Sequence, residues 1–306
     1  MMQKSIDEDQ TAMEEAKYIC ERSLATSIYL AQALGKPLLL EGEAGVGKTE
    51  VAKVIAEILQ TKLIRLQCYD GLDSSHALYE WNYPKQILAI KVAQAQGEIG
   101  CAVKDDGIEK TIFSEKFLLT RPLLEAITSD SDVPVVLLID EIDRSDEEFE
   151  AFLLEVLSDF QITIPEIGTI KAKVIPYVIV TSNGTRELHD ALKRRCLYHW
   201  IDYPSFEKEL SIMLKKVPEV QRSLAQQVCA LMQKIRTMDL LKAPGIAETL
   251  DWAQALVALN KESLDEETIE QTLGCIMKYR EDMDKFRQLF KATSETCGGC
   301  SPVNIG

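Results

Sequence analysis

No stretch of this 306-residue chain strings together the roughly 18 apolar residues that a membrane-crossing helix needs. Its opening residues, Met1–Gln10, carry no apolar run of the kind a secretory leader requires. Basic residues are in the minority, 34 against 49 acidic for a net charge of −15. The positive face that an electrostatically driven duplex binder uses is therefore missing. The three histidines, His76, His189 and His199, have no mutual spacing that suggests metal ligands and read as structural. Internal repeats and low-complexity tracts are also lacking. Of the cysteines, Cys20, Cys68, Cys101, Cys196, Cys229 and Cys275 are scattered singly and read as buried thiols, not a disulfide framework. Together these absences predict a soluble, cytoplasmic protein with no membrane and no nucleic-acid partner.

What is present is a large apolar fraction, 46% of residues, enough for one large or two modest cores. The first two-thirds alternate short apolar runs with helical patterns, as βαβ units do. Strands are expected at Pro37–Leu40, Leu63–Cys68, Val135–Ile139, Tyr177–Thr181 and Leu197–Ile201. The first, third and fourth of these are nearly all apolar, as strands covered on both faces should be. Helices are expected over Glu50–Leu59 and Asp146–Phe160, the second opened by a capping box of Ser145 with Glu148. Alternating runs around Pro165–Gly168 predict a hairpin. From about Ser205 every pattern is helical, and the last stretch, Ser263–Phe290, starts with a Ser263–Glu266 box. The expected organisation is an α/β domain over residues 1–203, a small all-helical domain over 204–290 and an aperiodic, mobile tail over 291–306. In that tail Cys297 and Cys300 read as an incidental pair, soft-metal binding or redox exchange being the alternative. Trp81, Asn82 and Tyr83 read as core packing, with a subunit contact as the other option.

Two stretches carry chemistry. Gly42-Glu43-Ala44-Gly45-Val46-Gly47-Lys48-Thr49 fits G-x-x-x-x-G-K-[ST], with a strand before it and an amphipathic helix after it. Such glycines let backbone N–H groups curl round a phosphate chain at a helix N-terminus. Lys48 would reach the terminal phosphates and the Thr49 hydroxyl would bind Mg²⁺. The apolar run Val135–Ile139 ends in Asp140 and Glu141, at the carboxyl edge of a parallel sheet where such folds bind ligands. Asp140 would hold Mg²⁺ through its water shell, and Glu141 would orient and deprotonate an attacking water. Asn183 ends the next strand and would stand beside the same water, although an Asn before Gly also suits a plain turn.

GEAGVGKTEVAK, LLIDEIDRSDEEFEAFLLEVL, QITIPEIGTI and VIVTSNGTRELHDALKRRC resemble the AAA+ ATPases and, within them, the MoxR family. LQCYDGLDSSHALYEWNYPKQ and CLYHWIDYP are similar to the branch associated with maturing molybdenum–copper carbon monoxide dehydrogenase. The resemblance spans Tyr18 to Phe290. It implies an AAA+ P-loop domain, with a parallel sheet flanked by helices, followed by a helical lid. ATP and Mg²⁺ would be the cofactors, bound by Gly42–Thr49 and Asp140, with Glu141 as base and Asn183 as first sensor. It also implies a self-assembled, homo-hexameric ring in which Arg195, or failing it Arg194, reaches the γ-phosphate held by the neighbouring subunit. Lys193 fits a plain basic helix end. An insertion is implied between about Tyr83 and Leu118. The family often has a second-sensor arginine at the start of a lid helix. The matching stretch, Lys242–Trp252, has none, so either Lys242 substitutes or sensing by the lid is weak. The implied work is ATP-driven remodelling of a client metalloenzyme, aided by an adaptor with a von Willebrand A domain. A slowly hydrolysing, nucleotide-dependent binding switch is the alternative.

Overall fold

The computed structural model describes residues 5–95 and 112–296. Cys101, Cys297 and Cys300 lie outside them. In chain order the elements are helices α1 (Ile6–Glu15) and α2 (Arg22–Leu34), strand β1 (Leu38–Gly42), α3 (Lys48–Ile58), β2 (Leu63–Gln67), the single turn α4 (Ser74–Ala77), β3 (Tyr79–Trp81), α5 (Tyr83–Ala95), β4 (Leu118–Thr120), α6 (Pro122–Ile127) and β5 (Val136–Asp140). These are followed by α7 (Glu147–Asp159), the pair β6 (Gln161–Ile164) and β7 (Gly168–Lys171), β8 (Tyr177–Ser182), α8 (Asp190–Arg195) and β9 (Leu197–Ile201). Helices α9 (Phe206–Lys216), α10 (Arg222–Arg236), α11 (Ile246–Ala258), α12 (Glu266–Ile276) and α13 (Arg280–Thr296) complete the chain. Contacts divide the described residues into two compact units. One holds residues 5–9, 22–41, 49–95 and 112–200, and the other 10–21, 42–48 and 201–296.

The first unit is built on a five-stranded sheet in the order β2-β5-β8-β1-β9. Pairing of β2 with β5, β5 with β8 and β8 with β1 is parallel, with Gln67 opposite Asp140 and Glu41 opposite Ser182. The order explains the sequence patterns. β5 and β8 are buried at every residue and β1 at four of its five. They are the three central strands, which helices cover on both faces. β2 and β9 are the edges and alternate, so Arg65 and Gln67 project from one face of β2.

Local starts and stops differ from expectation at several points. Asp146, not Ser145, caps α7, its carboxylate accepting from the Phe149 N–H at 2.8 Å, while the Ser145 hydroxyl turns back to the Ile142 carbonyl. A carboxylate complements the helix dipole better than a hydroxyl. Asp265 likewise replaces Ser263 as the cap of α12, accepting from the Thr268 N–H at 2.7 Å. The expected single helix over Ser263–Phe290 is two, parted at Met277–Tyr279, and α13 runs on to Thr296. The hairpin around Pro165–Gly168 is present as β6–β7. β3 and β4 pair antiparallel with Trp81 opposite Leu118, closing an excursion that includes α5. Trp81 is buried edge-on to Phe113, while Tyr83 is exposed.

The helical part of the second unit packs around Trp252, whose indole N–H donates to the Thr272 hydroxyl at 2.8 Å. Its other fixture is a buried ion pair. Glu209 is 1% and Arg236 6% exposed. The guanidinium spans both carboxylate oxygens at 2.6 and 2.7 Å and also donates to the Pro244 carbonyl and the Thr249 hydroxyl. Gln233 and Thr249 donate to the same carboxylate. Such a pair is held by its completeness, since removing one partner strands a buried charge. Arg236→Met should therefore cost about 3–5 kcal/mol in urea unfolding, and Glu209→Leu with Arg236→Met should recover most of that loss. Equal losses in the single and double variants would show that the pair is not what stabilises this unit.

Candidate functional site

The loop after β1 turns sharply because its first residue can carry no side chain. A Cβ on Gly42 would lie 2.2 Å from the Ile201 carbonyl oxygen. Gly45 and Gly47 adopt φ of 78° and 98°, which only glycine takes without strain. Lys48, the first residue of α3, is buried, and its ammonium donates to the Gly42 and Glu43 carbonyls at 2.7 Å each. A fourth glycine, the N-cap of α11, meets the loop. The Ile246 and Ala247 N–H groups donate to the Gly45 carbonyl at 2.9 and 3.3 Å. A Cβ on Gly245 would fall 2.7 Å from the Ala44 oxygen, so only glycine permits this backbone-on-backbone approach. In the stretch where an arginine is missing, the loop is met by a helix start. Lys242 is exposed, and its backbone N–H is tied to Asp282.

In the first unit, Asp140 ends β5 as a buried carboxylate with four donors. Its Oδ1 accepts from the Thr49 hydroxyl at 3.0 Å and the Thr181 hydroxyl at 2.5 Å. Its Oδ2 accepts from Arg65 Nε at 3.0 Å and Nη2 at 2.5 Å. Glu141, next in the chain, has φ of 56°, a conformation a glutamate adopts at a cost of about 1–3 kcal/mol. Its N–H donates to the Thr181 hydroxyl at 2.9 Å. Its carboxylate accepts from the Gln67 amide at 3.0 Å and pairs with Arg144 at 3.1 Å. Asp143 receives the Asn183 and Thr185 N–H groups and the Thr185 hydroxyl. Burial opposes ionisation of Asp143, but those bonds hold its carboxyl below the usual range. Burial and then the charge of Asp140 push the Cys68 thiol up to about 12, so it is no nucleophile.

Thr49 and Asp140 offer hard oxygens 3.0 Å apart, the donor chemistry that suits Mg²⁺. The bare glycine loop and buried Lys48 suit a phosphate chain. The residues present thus fit a magnesium nucleotide. Arg194 and Arg195 are both exposed; Arg195 donates to the Leu154 carbonyl at 2.7 Å, whereas Arg194 has no hydrogen bond or ion pair among the described residues. Arg186 is committed to Ser145 and the fully buried Glu150. Of the histidines, His76 pairs with Asp73 and His189 caps α8, both local contacts, while His199 meets Ser27, 172 positions away.

Sequence reading missed Arg65, Gln67, Thr181, Asp143 and Gly245. The alternation of Leu63–Gln67 hints that Arg65 and Gln67 share a face. Only the parallel pairing of β2 with β5, which sets Gln67 opposite Asp140, shows what that face meets.

A profile of the ATPase family associated with various cellular activities (AAA) matches residues 38–201. An uncharacterized protein of Staphylococcus epidermidis is 26% identical over 260 residues, 82% of each chain. Another, of Staphylococcus aureus, is 28% identical over 239 residues, covering 74% of this chain and 77% of its own. Among solved structures, the Thermotoga maritima RuvB Holliday junction branch migration motor superposes with a TM-score of 0.45 at 18% identity, covering 96% of this chain and 80% of that one. The family match spans more than half of the chain and takes in Gly42–Thr49, Asp140, Glu141 and Asn183. The protein is a member of the AAA family of ATPases.

Proposed function

We propose that the chain is a Mg²⁺-dependent ATPase of the MoxR branch, working as a ring that remodels a client protein. The observation that carries the reading is the hydrogen bond from Thr49, the residue after the loop lysine, to the buried Asp140. Lys48 countercharges the terminal phosphates, while Thr49 and Asp140 hold the metal's coordination shell. Bound Mg²⁺ would neutralise charge on the phosphoryl group being transferred. Glu141 takes the proton of the attacking water once Gln67 and Arg144 release it, and Asn183 orients that water. Arg194 or Arg195 reaches the γ-phosphate of the neighbouring subunit, a role worth roughly three to five decades in rate. Arg195 matches the family finger by position; Arg194, which has no hydrogen bond or ion pair among the described residues, is the alternative. The net charge of −15 favours a protein client over nucleic acid. Resemblance alone points to a metalloenzyme such as a molybdenum hydroxylase and to a von Willebrand A adaptor. The tethering of Glu141 by two partners favours a second reading, a slowly hydrolysing binding switch.

Lys48→Ala should abolish ATP binding in calorimetry, and tight binding by that variant would refute the loop assignment. Glu141→Gln should retain ATP and Mg²⁺ while turnover falls by about two to four decades. A wild-type protein with almost no steady-state turnover, even when assembled with its client, would favour the switch. Mixing Glu141→Gln subunits with Arg195→Ala subunits should restore activity above the sum of the separate rates, because an intact pocket then faces an intact finger. The same mixing series with Arg194→Ala identifies the arginine: rescue by neither series would rule out an arginine acting across the subunit boundary.

A further inference from the structure

Arg65 has no part in the chemistry just described, yet it is the only cation among the described residues placed on Asp140. Its Nε and Nη2 both bind the single oxygen Oδ2, leaving Oδ1 to the hydroxyls of Thr49 and Thr181. Asp140 is 3% exposed and Arg65 51% exposed at the side chain. Burying a carboxylate charge without a compensating partner is costly. The guanidinium is held in turn by Gln67 Oε1, which accepts from Nη2 at 2.6 Å. Arg65 and Gln67 lie two residues apart on an edge strand, so they share a face, and the β2–β5 register delivers that face to Asp140.

We propose that Arg65 is a positioning residue that serves as a tethered counter-cation of Asp140, occupying Oδ2 and balancing its charge when no metal is bound. The inference rests on the nucleotide reading above. Two consequences separate it from a structural role. Arg65 fixes which oxygen the metal's coordination shell meets, since Oδ2 is taken and Oδ1 lies beside Thr49. It also opposes the metal electrostatically, because a second cation shares the same carboxylate. Metal-free nucleotide binding therefore meets a site already neutralised, and the gain from adding the metal is held down. A purely structural arginine would, when removed, weaken nucleotide binding equally with and without metal.

The test is calorimetric. ADP is titrated into the full-length protein in excess Mg²⁺ and again in chelator, and the ratio of the dissociation constant in chelator to that in Mg²⁺ is compared between variants. Arg65→Gln should raise that ratio about tenfold, a half-exposed pair contributing a fraction of the full Coulomb energy. Arg65→Lys keeps the charge and should stay within about threefold of wild type. In an Asp140→Asn background, Arg65→Gln should leave the ratio unmoved, because the carboxylate it acts through is gone. An unchanged or lower ratio in Arg65→Gln overturns the inference, as does a full tenfold rise in Arg65→Lys, which would remove charge as the cause. Should Arg65→Gln fail to fold, Arg65→Met, which also removes the charge, is measured in its place against the same criteria. Failure of the wild-type protein to bind ADP with or without metal overturns the nucleotide reading itself, a result distinct from either outcome for Arg65.

Discussion

The carboxylate of Asp140 is bound at once by α3, β2 and β8 from its own place at the end of β5. Thr49, Arg65 and Thr181 all donate to it. Burying an ionised carboxyl would cost several kcal/mol without such partners. The ends of these elements are therefore fixed relative to one another by the need to satisfy one charge. Thr181 extends the effect by accepting the N–H of Glu141, so the same hydroxyl that anchors Asp140 helps hold the next residue in its left-handed conformation. Asp143 does the same for the loop after β8, gathering the backbone of Asn183 and Thr185. The acidic stretch at the end of β5 thus organises its neighbours.

A second constraint governs the loop. Gly245 approaches it so closely that neither partner can carry a side chain, and the start of α11 binds the Gly45 carbonyl with two N–H groups. That approach depends on the Glu209–Arg236 pair, because the guanidinium also holds the Pro244 carbonyl just before Gly245. This stretch makes a backbone junction backed by a buried ion pair. A junction of that kind transmits position and carries no net charge of its own to a phosphate.

Glu141 and Arg195 are both engaged in contacts within the chain. Gln67 and Arg144 occupy the Glu141 carboxylate, and the Leu154 carbonyl occupies Arg195. Each contact is a single, half-exposed hydrogen bond or ion pair, worth about 1 kcal/mol or less.

Periodicity and spacing alone located the five strands of the sheet, the hairpin and the helical character of the second half. They also marked β1, β5 and β8 as the covered strands, because burial on both faces writes itself into sequence as an unbroken apolar run. The phosphate-binding motif and the acidic strand end were legible for the same reason: each is local, with its chemistry set by neighbours in the chain. Helix starts were less so, since Ser145 and Asp146, or Ser263 and Asp265, are all competent caps and only the backbone path selects one. What the tertiary structure decided was every partner supplied across the fold. Arg65 and Gln67 look like ordinary polar positions on an edge strand, and Gly245 like a turn residue. Their roles come from strand order and helix placement, which bring together residues 75 positions apart for Arg65 and Asp140. Such pairings leave no mark on local pattern, because hydrogen-bond partners are chosen by distance in space, not along the chain.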